Sequence, residues 1–168
     1  MEGHSSTQPI LRTGCAQPYV AIPVHANDKE WGNTTALVKE IILWISQSNL
    51  KIAGPLFYRY GIIDNAGKPF NLEVGFPVCT AVRGDERIIA GVIPDGTFAT
   101  LVHCGNPDNI DESFNKLQNW VNRQQLKWKT CRQNGCEAWA GRFEFQLTDT
   151  SVQPNINQWR TAIAVLIA

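Results

Sequence analysis

The segment Phe143-Glu144-Phe145-Gln146-Leu147-Thr148 alternates strictly between apolar and polar residues. In an extended strand Phe143, Phe145 and Leu147 face one way, and Glu144, Gln146 and Thr148 the other. A carboxylate among aromatic rings attracts a cation, is costly to bury unpaired, and holds its proton more tightly when desolvated. The plainer alternative is a half-solvated strand with Glu144 in water. Leu56-Phe57-Tyr58-Arg59-Tyr60 offers a second strand. Its Tyr58 and Tyr60 share a face, and each joins a flat apolar body to a hydroxyl. That combination suits a pocket wall, or simply a strand rich in β-formers.

Six tryptophans extend the set: Trp31, Trp44, Trp120, Trp128, Trp139 and Trp159. Trp44 and Trp120 fall on predicted helices, where they are expected in the core with their indole ends near a groove. Trp139 falls in a long predicted loop, where it reads as a lid or rim. His25 and His103 end two similar strands; they read as a haem or metal pair, or as polar strand ends. Cys131 and Cys136 are spaced like half a zinc site, but no second Cys or His pair lies nearby, so no metal is expected. With no secretory signal in view, the five cysteines read as free thiols. No phosphate-binding glycine loop, HExxH or GxSxG motif occurs, so no cofactor is expected and no pattern names an enzyme.

The elements that must position these residues repeat. Ala21-Ile22-Pro23-Val24-His25 returns 78 residues later as Ala99-Thr100-Leu101-Val102-His103. At a shift of 76, Val38 meets Phe114, Ile41 meets Leu117, Trp44 meets Trp120 and Ile45 meets Val121. Such ordered matches predict two βαββ units about a pseudo-twofold axis, with a groove between them for a small molecule. Residues 1–17 are polar and expected to be loosely ordered. Residues 18–168 form the domain, with repeat one over about 18–82 and repeat two over about 87–168. In repeat one, strands are predicted over 19–25, 56–63 and 72–82, with Pro23 marking an edge. A helix is predicted over 34–48, with Leu37, Val38, Ile41, Ile42, Trp44 and Ile45 on its apolar stripe. In repeat two, strands are predicted over 87–93, 98–103, 142–148 and 161–167. The helix there is predicted over 109–124, opened by a capping box of Asn109 and Glu112. About ten residues are inserted after Leu126. The fold class is therefore α+β: an antiparallel sheet with two helices.

The chain has 168 residues, 43% of them hydrophobic and 18% charged, as in globular proteins. A formal net charge of zero argues against direct nucleic-acid binding. No apolar run is long enough to span a membrane, and residues 1–17 lack a signal-peptide core. A cytoplasmic monomer or homodimer is expected.

The order of motifs carries a resemblance. Gly54-Pro55-Leu56-Phe57-x-Arg59-Tyr60 is followed by Leu72-Glu73-Val74-Gly75-Phe76-Pro77-Val78, then Ile93-Pro94-x-Gly96-x-Phe98-Ala99, then His103-x-Gly105. Leu117-x-x-Trp120 and Phe143-Glu144-Phe145-x-Leu147-Thr148-Asp149 complete the series. From Tyr19 to Ile167 the chain resembles the GyrI-like small-molecule-binding domain of the SOUL/GyrI-like superfamily. That domain is the effector-binding part of multidrug-responsive and AraC-type regulators. Pro107, Leu56 and the inserted loop depart from the family pattern and put the pocket's shape in question more than the fold. The resemblance implies that Glu144 is the pocket glutamate, with Tyr60 and Trp120 at matched aromatic positions. Tyr58, Trp139 and Phe98 complete the expected ligand-binding set. The implied function is binding of bulky aromatic, often cationic compounds, for sensing or sequestration. One alternative is a hydrolase of reactive cyclopropane-bearing, DNA-alkylating natural products. In it Glu144 acts as general acid or base, and Tyr60 orients or protonates the leaving group. A protein-interaction module such as a gyrase inhibitor is the third reading.

Overall fold

The computed structural model describes residues 5–28 and 32–168; Trp31 and Met1–His4 lie outside them. In chain order the elements are β1 (Ser5–Ser6), β2 (Ile10–Gly14), β3 (Gln17–His25), α1 (Thr35–Gln47), β4 (Phe57–Tyr60), β5 (Ile62–Ile63), β6 (Asn71–Pro77) and β7 (Ile89–Ile93). They continue with β8 (Gly96–Cys104), α2 (Ile110–Arg123), β9 (Thr130–Gln133), β10 (Cys136–Trp139), β11 (Arg142–Gln146) and β12 (Arg160–Leu166). The main sheet runs β1-β8-β12-β11-β4-β6-β3-β7, with β2 also on β8, and every pairing is antiparallel. This is the expected α+β architecture.

Both helices lie on one face. On α1, Leu37, Ile41 and Ile45 recur every fourth residue and are buried. They pack with Val20, Ile22, Val24 and Val74 of the sheet. Ile42, expected on the same stripe, is exposed. On α2, Leu117 and Val121 close over Leu101, Ile163 and Val165. The helix-free face holds Tyr19, Phe57, Phe98 and Phe143. Phe57 is fully buried, 5.0 Å from the Tyr19 ring and 5.6 Å from Phe143. α1 rests on β3 and β6, and α2 on β8. On their face of the sheet, the central strands β4 and β11 carry Tyr58, Tyr60, Arg142 and Glu144.

Several boundaries differ from expectation for physical reasons. Pro23 is not on an edge strand, because β3 lies between β6 and β7. However, β7 pairs only with Gln17–Ala21. The Pro18 carbonyl and the Ala26 N–H both point to the β6 side. By alternation, Pro23 faces the other side, beyond the end of β7, where no ladder bond is lost. The predicted 56–63 strand breaks at Gly61; beyond it the chain leaves β11, gains β10 as a partner and stays bonded to the 69–71 segment. The segment expected to be loosely ordered contains β2, whose five residues pair with Gly96–Thr100. Asn109 makes no cap bond; Asn106 accepts from the Asp108 N–H and caps the 3-10 turn Pro107–Asn109 that leads into α2. The inserted loop folds into the β9–β10 hairpin, turned by Asn134-Gly135 with positive φ at both residues. Among the described residues, no helix is long and apolar enough to cross a membrane.

Candidate functional site

The register sets the site. β11 lies against β4 with Glu144 opposite Tyr58 and Phe143 opposite Arg59. Period two then sends Phe143 and Arg59 to the helix-free face, and Glu144, Tyr58 and Tyr60 to the helix face. There they line a cleft of about 570 Å³ that also takes in Thr34, Ile110 and Trp159. The Tyr60 hydroxyl donates to Glu144 Oε2 at 3.0 Å. The Tyr58 and Thr34 hydroxyls share a 2.9 Å hydrogen bond, which ties the wall to the residue before α1. The Trp159 indole N–H donates to the Gln153 carbonyl at 2.8 Å, and this fixes its ring.

Burial is the largest influence on Glu144 and pushes its carboxyl above the ordinary carboxylate range; the Tyr60 hydrogen bond and the Arg142 charge pull it back. Burial likewise drives the Tyr60 hydroxyl well above its usual value, reinforced by the neighbouring Glu144 charge. Tyr60 is therefore a hydrogen-bond donor at neutral pH and not a phenolate. The pair offers a desolvated carboxyl group, a fixed donor and flat walls. Such a site suits a cation, or a proton transfer.

The expected site residues divide. Glu144, Tyr60 and Tyr58 meet in the cleft. Trp139 lines a neighbouring cavity instead. Phe98 is buried on the helix-free face with Phe143, their rings 6.2 Å apart, because alternation along β8 gives the helix side to Ala99 and Leu101. Trp120 packs into the cluster beneath α2 and does not line the cleft. Trp159 was missed; its signal is the Asn155-led turn that precedes β12. His103 is buried: its Nε2–H donates to the Asn106 carbonyl at 2.9 Å, and its Nδ1 is 2.6 Å from the Ser113 hydroxyl. It anchors the start of α2, while His25 is exposed. Among the described residues, no three His, Cys, Asp or Glu side chains gather as metal ligands.

A family model for the GyrI-like small molecule binding domain matches residues 31–137. The chain belongs to that family. The match stops short of Arg142 and Glu144, so their roles rest on geometry. No curated protein sequence matches the chain. Among solved structures, the EcmrR C-terminal domain has a TM-score of 0.78 at 17% identity, over 96% of this chain and 97% of that one. In the EcmrR–DNA complex, the same likeness spans 95% of this chain and only 57% of that one, with a TM-score of 0.77 at 17% identity. A hydrolase from Listeria innocua has a TM-score of 0.62 at 10% identity, over 96% of this chain and 92% of that one. SAV2435 bound to tetraphenylphosphonium has a TM-score of 0.55 at 10% identity, over 96% of this chain and 94% of that one. At these identities the likeness is one of fold.

Proposed function

We propose that this GyrI-like domain binds bulky aromatic cations in the cleft between its helices, as a sensing or sequestering module. The observation that carries this reading is the Glu144 carboxyl on the cleft floor, held by one donor and walled by Tyr58, Tyr60 and Trp159. A cation over these rings, beside a desolvated carboxylate, gains from both ring quadrupole and charge. The tetraphenylphosphonium-bound neighbour supports this ligand class by analogy of fold. The two A-x-x-V-H strands, β3 and β8, stand third from the β4–β11 seam on either side, which supports a cleft built where two duplicated halves meet. The test is calorimetric titration with tetraphenylphosphonium. Glu144→Gln keeps the shape and removes the charge, and should weaken binding at least tenfold, about 1.4 kcal/mol. Equal binding by both proteins would refute the reading.

The Tyr60–Glu144 pair also favours a hydrolase as a second reading. There Glu144 takes a proton from water as the water oxygen adds to a cyclopropane carbon and the strained C–C bond breaks; Tyr60 protonates the leaving group, and the proton on Glu144 then returns to the Tyr60 oxygen across their hydrogen bond. Mass spectrometry of products from cyclopropane-bearing electrophiles decides it: turnover lost in Glu144→Gln supports the hydrolase, and intact compound with wild-type protein removes it.

A further inference from the structure

The β9–β10 hairpin, the 64–67 turn and the first turns of α2 line a second, open cavity of about 610 Å³. Its walls include Phe114 and Trp139, their rings 6.4 Å apart and nearly perpendicular. Arg142 sits between them. Its guanidinium carbon is 3.9 Å from the Phe114 centroid, 4.7 Å from Trp139 and 5.7 Å from Tyr60. Among the described residues, that guanidinium makes these ring contacts but no hydrogen bond and no ion pair. Beside it the Trp139 indole N–H is buried without an acceptor.

Arg59, on the other face of the same strand pair, shows what a satisfied arginine looks like here. It donates to the Tyr19 hydroxyl at 2.9 Å and the Ala140 carbonyl at 2.8 Å, with Glu73 at 3.8 Å. A guanidinium has five N–H donors and no acceptor, and leaving them unmet in a sheltered site is costly. The acids around the cavity do not meet them. Asp64 accepts from the Ala66 and Lys68 N–H groups of its own turn. Glu137 stands opposite Arg132 across the hairpin. Glu144, Asp111 and Glu137 act on Arg142 only through their charge.

We propose that this cavity is a second binding site, for a planar aromatic carboxylate. Its ring would lie along Trp139 and Phe114, and its carboxylate would take the two parallel N–H bonds that a guanidinium presents. The ligand charge is opposite to that expected at Glu144, and the site lies beside the β9–β10 hairpin, with walls other than those of the Glu144 cleft. This inference stands independently of the cation reading.

The test uses the full chain and 2-naphthoate. The indole resonance of Trp139, identified by its loss in Trp139→Phe, should shift saturably in ¹H–¹⁵N spectra. Arg142→Gln should weaken binding by about tenfold or more, as expected for loss of a charged hydrogen-bond pair. Glu144→Gln should not weaken it. Asn115→Trp, which fills the cavity from the α2 surface, should abolish it and decides the matter if Arg142→Gln fails to fold. Three results overturn the proposal: no shift at millimolar 2-naphthoate, undiminished binding by folded Arg142→Gln or Asn115→Trp, or loss of binding in Glu144→Gln.

Discussion

Replacing Tyr60 with phenylalanine removes one oxygen and keeps the ring wall. The lost hydroxyl donates to Glu144 at 3.0 Å and is its sole hydrogen-bond donor among the described residues. A hydrogen bond to an ionised group contributes about 1.5–3 kcal/mol, and one between neutral groups about 0.5–1.5 kcal/mol. The substitution therefore penalises the ionised carboxylate more than the protonated acid, and the Glu144 pKa, already raised by burial, rises further. A carboxyl whose pKa is higher folded than unfolded contributes stability that is fully present below the unfolded value. That contribution is lost as pH rises through the folded one. Tyr60→Phe should thus cost about 1 kcal/mol at pH 4 and about 1.5–3 kcal/mol at the alkaline end, where Glu144 is charged without its donor. Urea denaturation of both proteins from pH 4 to pH 8 reads the difference. Tetraphenylphosphonium affinity over the same range reads the charge itself: it should fall as the carboxyl gains its proton, at a higher pH in Tyr60→Phe. A destabilisation that does not grow with pH, or a binding midpoint that stays or moves down, refutes the reasoning.

Three further outcomes follow from the packing. Phe57→Ala empties the centre of the helix-free cluster and should cost about 3–5 kcal/mol in urea denaturation. Gly91→Ala drives a methyl group into the Tyr19 ring; about 1–3 kcal/mol should be lost while tetraphenylphosphonium affinity, set on the other face, is unchanged. Ser113→Ala removes the hydroxyl 2.6 Å from the buried His103 Nδ1 and should cost about 1–3 kcal/mol, seen as a lower thermal midpoint.

Both helices were readable from the sequence because a 3.6-residue stripe is a local signal; each is found within two residues of its expected ends. That Glu144 shares a face with Gln146 was readable too, since alternation along 143–148 is strict. Phe98 was misassigned because alternation says which residues share a face but not which face stays open. That depends on where two helices land, and they land over Ala99 and Leu101. Trp120 was misassigned for a related reason: a helical aromatic marks an apolar stripe without saying whether the stripe ends at a groove. The hairpin was legible and went unread, since Asn134-Gly135 is a strong two-residue turn signal. Arg142 carried no signal of its own; Trp139 lies three residues away, but Tyr60 and Phe114 come from distant parts of the chain.

The Tyr60–Glu144 bond joins residues 84 apart in sequence. Each helix, by contrast, is built from neighbours. Joining such remote strands incurs a loop-closure entropy cost that local elements do not. The proposed pocket therefore forms only when these long-range strand pairings do. Occupancy would then draw the folding equilibrium toward completion, in proportion to the logarithm of ligand concentration. If the cleft binds as proposed, ligand capture and completion of the sheet are thermodynamically linked.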